Sequence, residues 1–159
     1  MAKICYFKIW NFVKYVSIVI TIIIFTACPG KEEIESEGYV IVTNASNEVI
    51  FVTVDTFLKT NLTAKDTSWI IAQTNSVKLL PSKSEKIKVS YMNIPIHFLI
   101  QNEKLFNDFY NGNIVTGDLL NDHYVYTPED MKASSQLNIM YTGVREGNGN
   151  IPYNSDYRH

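Results

Sequence analysis

Asp118, Asp122 and His123 stand within six residues of one another. Two carboxylates beside an imidazole are the groups that a metal-assisted or acid–base hydrolysis uses. A centre built from one loop still needs partners from elsewhere in the chain, and residues 119–122 read equally well as a polar turn leading into a strand. His97 sits among apolar residues on the wetter face of its strand, where a histidine is more often exposed or internally bonded than a ligand. No serine lies in a Gly-x-Ser-x-Gly context, no glycine-rich loop suits a phosphate, and no cysteine pair has metal spacing. Eight tyrosines follow residue 27. Tyr124 and Tyr126 share a strand face by period two, and Tyr110 is expected near them. Together they form a candidate aromatic surface for a sugar or a protein side chain. The plainer expectation is that Tyr124 and Tyr126 pack at the core rim with their hydroxyls in water.

Cys28 offers a different chemistry, acylation. It follows Lys3, Lys8 and Lys14, an apolar run over residues 15–25, and the small pair Thr26-Ala27. A membrane-spanning helix needs about 20 apolar residues. The run of 11 has the length of a secretory signal core instead, with the cations holding the N-terminus in the cytoplasm. Residues 25–28 resemble a bacterial lipobox, with Phe25 where leucine is commonest. Residues 1–27 are therefore expected to be removed as a lipoprotein signal peptide. Cys28 would then carry acyl chains such as palmitate, each buried methylene holding the membrane by about 0.8 kcal/mol. Cys5 is lost with the signal, so no internal disulfide is expected. Residues 28–37 read as a charged tether. Within it Lys31-Glu32-Glu33 resembles the acidic export signal that carries lipoproteins of Bacteroidota to the outer cell surface.

Three of the 14 cations lie in residues 1–27 and no acid does, leaving 11 against 16 acids, a formal charge of −5. Nucleic acid has no electrostatic footing on such a chain. Residues 38–142 are enough for one domain, and their periodicity is mainly two. Residues 39–43 and 49–56, separated by Asn44-Ala45-Ser46-Asn47, read as a hairpin. Residues 77–80 and 85–89 read as a second strand–turn–strand unit. Ile94, Ile96, Phe98 and Ile100 line one face of the best core strand, leaving His97, Leu99 and Gln101 on the other. Residues 58–67 read as a loop, and 68–72 as a strand or helical turn. Residues 103–110 read as a short helix, 123–126 and 137–141 as strands. Thr127-Pro128-Glu129-Asp130 is a helix start. Residues 143–159 read as a flexible tail. The fold class is all-β: a mainly antiparallel β-sandwich, immunoglobulin-like by architecture only, with one or two short helices. Asn44-Ala45-Ser46 and Asn61-Leu62-Thr63 match the glycosylation triplet but are taken as turn chemistry.

The layout resembles a group of small uncharacterised lipoproteins of Bacteroidota. The resemblance rests on Val42, Asn44 and Ser46; on Val54, Asp55 and Thr56; and on Leu80, Pro81 and Ser84. It is best in residues 124–131 and 137–141, and extends loosely over residues 39–142. Phe109 or Tyr110 stands where that group has a tryptophan, and Ile139 where it has its closing one. The resemblance implies a lipid anchor and a single β-rich domain; it brings no catalytic or binding residues. The expected function is a non-enzymatic binding or scaffolding lipoprotein of the outer membrane, facing outward, or alternatively the periplasm, with no cofactor and with an envelope protein or glycan as partner. A small hydrolase or metal enzyme using Asp118, Asp122 and His123 is the alternative. A structural accessory of an outer-membrane transporter is a third.

Overall fold

The computed structural model describes residues 36–91, 93–113, 117–134 and 136–154. Cys28, Lys31, Glu32, Glu33 and the expected signal peptide lie outside the described residues. Within them the chain is an all-β sandwich with three short helices. One sheet has the order β4 (Lys83–Tyr91), β1 (Ser36–Asn44), β8 (Gln136–Tyr141). The other has the order β3 (Ser76–Leu79), β2 (Ile50–Thr56), β5 (Ile96–Asn102), β7 (Asp122–Tyr126). A ribbon pairs β6 (Gly117–Asp118) with β9 (Tyr153–Asn154). Every pairing is antiparallel except β1 with β8, which run parallel.

Alternation along the strands builds the core between the sheets. Val40, Val42, Val89 and Ile139 of the first sheet face Ile50, Val52, Ile96, Phe98 and Ile100 of the second, all buried. Each such side chain contributes about 1.5–3 kcal/mol by leaving water. Helix α3 (Pro128–Ala133) adds Met131 to this core. It starts where the residues demand, with Thr127 capping and bonded reciprocally to Asp130.

The expected hairpin of β1 with β2 does not form. β1 pairs with β4 and β8, and β2 with β3 and β5. The connection from β3 to β4 likewise crosses between sheets. Period two marks which face of a strand is apolar but not which neighbour it bonds. Here consecutive strands set their apolar faces against each other across the sandwich. Asn44, fully buried, ties the two crossings together. Its Nδ2 donates to Glu48 O at 2.8 Å and to Leu79 O at 3.1 Å, and its Oδ1 accepts from Ser46 N and Oγ.

The outer face of the second sheet is not wet, as expected of it, but covered. Helix α1 (Ala64–Gln73) takes up part of the expected loop at 58–67 and settles residues 68–72 as helix, the second of the two forms expected for them. Thr63 caps it in a reciprocal box with Asp66, and its buried Thr67, Ile70 and Ile71 pack with Leu62, Leu99, Leu119 and Leu120. His97, Leu99 and Gln101 are thus as buried as Ile96, Phe98 and Ile100. Helix α2 (Glu103–Tyr110) follows β5 directly, capped by Asn102. Of the expected flexible tail, residues 144–154 run along β7 and enter the sheet ribbon as β9, while residues 155–159 lie outside the described residues.

Candidate functional site

Asp118, Asp122 and His123 do not converge. Asp118 is about half exposed and paired with Arg145 Nη2 at 2.8 Å. Asp122 and His123 are adjacent on β7, so their side chains leave opposite faces of the sheet. Asp122 Oδ1 accepts from His123 N at 2.8 Å and Gly147 N at 3.0 Å, while Oδ2 accepts from Glu146 N at 3.1 Å. The carboxylate is a buried clamp for the C-terminal segment.

His123 instead meets His97, 26 residues away, on the covered face of the second sheet. The register sets His97 against Val125 and Leu99 against His123, so the two histidines are diagonal neighbours. His97 Nδ1 lies 2.9 Å from His123 Nε2, and His123 Nδ1 bonds Asn150 O at 2.6 Å. A carbonyl can only accept, so His123 Nδ1 carries a proton. In neutral His123, Nε2 then accepts and His97 Nδ1 donates; these tautomers are assigned from the partners. The relay ends at His97 Nε2, which has no hydrogen-bond partner among the described residues.

Burial, and then the neighbouring His123, push the His97 imidazole down to about 4. The carbonyls of Phe57 and Lys59 oppose that shift, though neither reaches Nε2 in hydrogen-bond geometry. Burial also lowers His123, against the pull of Asn150 O and Asp122. Both rings are 0 % exposed, and the edge of Phe57 faces His97 at 6.4 Å. Neutral imidazoles could serve as bases or ligands, and here both are fully buried. Their work is to brace the C-terminal segment against β5 and β7.

That segment fits because it lacks side chains where it touches. A Cβ on Gly147 would run into the His123 carbonyl, and one on Gly149 into the His123 ring. Asparagines supply the bonds. Asn148 Oδ1 accepts from Val125 N at 2.7 Å and its Nδ2 donates to Val125 O at 2.8 Å, so one side chain pairs with the strand as a neighbour would. Gly149 N donates to His123 O at 2.9 Å, and Asn150 brackets Leu62 N and O in the same manner as Asn148 brackets Val125.

The tyrosines also separate. Tyr124 and Tyr126 turn toward the intersheet core, Tyr126 packing its ring edge-on to Phe98. Burial, and behind it the Asp122 carboxylate, push the Tyr124 phenol upward, so it stays protonated. Tyr110, half exposed, stacks near Phe106 and donates to Ile71 O at 2.9 Å, on the other face of that sheet. The three form no common surface.

An open cleft lies elsewhere, between the sheets at the edge formed by β4 and β3. β3 ends opposite Thr53, whereas β2 runs on to Thr56 and β4 to Tyr91. The gap, about 330 Å³, has an apolar floor of Val54, Val77, Ile87, Val89 and Ile96. Asp55, Thr56, Asn75, Lys88 and Ser90 complete its lining. Its charged groups are engaged. Lys88 Nζ lies 2.7 Å from Glu37, which raises the ammonium above its ordinary value. Asp55 accepts from Thr74 Oγ1 at 3.1 Å and Thr56 N at 2.8 Å. An apolar floor with a few polar groups at its rim suits binding. Ile87 and Val89 alternating with Lys86 and Lys88 were legible in the sequence; the gap beside them was not.

No known protein family, no curated protein and no solved structure matches the chain.

Proposed function

We propose that this chain is a lipid-anchored, non-enzymatic binding protein of the outer membrane, displayed outward through Cys28 and Lys31-Glu32-Glu33. Its ligand enters the cleft between β4 and β3. The observation that carries the reading is this cleft: it is open with an apolar floor, its ionic groups are already paired, and the residues able to do acid–base chemistry are buried in another layer. An envelope protein fits such a cleft better than a glycan, because the floor is aliphatic and no aromatic side chain among the described residues lines it. No helix among the described residues is long and apolar enough to cross a membrane.

Protease shaving of intact cells tests the address. The wild-type chain should be membrane-bound and lost on shaving, Cys28→Ser should leave the membrane fraction, and Lys31/Glu32/Glu33→Ala should become protected. A wild-type chain that survives shaving in cells whose surface markers are cleaved contradicts outward display.

A further inference from the structure

We infer that the cleft receives an extended peptide that adds to β4 as a fourth strand of its sheet. This rests on the binding reading above and names the kind of partner. β4 is one of the two terminal strands of the three-stranded sheet, and it is the one that borders the cleft. β4 is nine residues long. Among the described residues, its one main-chain bond outside the pairing with β1 is Lys83 N to Leu80 O, 3.2 Å, at its first residue. Every second residue beyond that turns its N–H and C=O away from β1, and an exposed edge of this kind is a template for another strand. The other sheet's β7 edge is taken up by Asn148 and Gly149.

The side chains beside that edge select the partner. Ile87 and Val89 point into the cleft, over Val54, Val77 and Ile96. Lys86 and Lys88 point to the solvent face, Lys86 over the Tyr39 ring and Lys88 beside Glu37 of β1, and with Lys83 they give β4 three cations against its single acid Glu85. An incoming strand would set alternate residues over the apolar floor and the others beside the lysines. The matching peptide alternates branched apolar residues with acids. A second copy of β4 fits poorly. Antiparallel self-pairing centred on Lys86, Ile87 or Lys88 places lysine directly opposite lysine, which is unfavourable. The occupant is therefore an acidic, strand-forming segment of another protein.

The test uses the full chain in detergent and a blocked seven-residue peptide alternating valine and glutamate. Fluorescence anisotropy of a dye that blocks the peptide's N-terminus reads binding, and residue-resolved amide exchange reads where it sits. Strand addition predicts that the peptide slows exchange at alternate β4 amides. Replacing its glutamates by lysines should weaken binding about tenfold. N-methylating the peptide amides that face β4 should abolish binding, because that removes its ladder donors. Binding that perturbs Val54 and Val77 but survives N-methylation would overturn strand addition and leave the cleft as a binding site. A peptide that perturbs neither β4 nor the cleft would overturn strand addition, and the cleft reading for protein ligands with it. A Lys86→Glu chain with an unchanged urea midpoint should prefer the lysine peptide; failure to reverse the preference would count against the charge argument.

Discussion

At β7 the main-chain groups that a sheet edge leaves over are taken up by the chain's own C-terminal segment. At β4 they face a cleft. Both edges border a buried layer, yet only one is finished. The closed edge is held by groups with no freedom to do anything else: a carboxylate accepting three N–H bonds, two histidines in series and an asparagine bracketing one residue. The open edge is lined by aliphatic residues and by lysines held at the surface, Lys88 by Glu37 and Lys86 over the Tyr39 ring. Residues with the look of chemistry thus hold the C-terminal segment in place, and residues with the look of an ordinary strand border the open cleft.

The contrast breaks most sharply at Asp122. Asp122→Ala strands three backbone donors and should cost about 3 kcal/mol. Urea unfolding should show the loss, with proteolysis appearing near residues 145–149. A similar amount, about 3 kcal/mol, is linked to pH through His97, whose folded value falls from its ordinary 6.5 to about 4. The unfolded chain binds the proton more readily in that window. Stability should therefore be full above about pH 6.5 and decline as pH falls toward 4. His97→Gln should flatten the part of this slope due to that residue, which a series of urea midpoints against pH would check. Gly149→Ala drives a methyl group into the His123 ring and should cost about 2 kcal/mol. Its distinguishing sign is faster exchange at Val125, with β4 unchanged. Asn148→Ala loses two neutral bonds to groups that water can reach, about 1 kcal/mol. At the open edge, Lys86 rests over the Tyr39 ring at 4.0 Å. Lys86→Gln should shift the unfolding midpoint by no more than about 0.5 kcal/mol.

Much of the fold could be read because strand faces follow from alternation. Ile96, Phe98 and Ile100 announced a core strand, and Thr127-Pro128-Glu129-Asp130 announced a helix. Strand partners could not be read, since the turns at Asn44 and Ser82 suit a crossing between sheets as well as a hairpin. Helix α1 was hidden because its buried residues are β-branched, although Thr63 and Asp66 carry a cap spacing that could have revealed it. Residues 96–100 hold a continuous apolar run apart from His97, the pattern of a strand covered on both faces. That pattern implied a buried histidine in need of a partner, but only the folded register identifies His123. The C-terminal segment was misread because glycine and asparagine suggest looseness by composition. Here they are required by close contact.

Residue-resolved amide exchange on the ligand-free chain tests the difference between the two edges directly. The Val125 amide, bonded outward to Asn148, should exchange only on global unfolding or release of the segment. The outward amides of β4 beyond Lys83 should exchange at rates close to those of exposed backbone. Outward β4 amides as slow as Val125 would mean that the open edge is already covered, and the account of the cleft as a binding edge would be wrong.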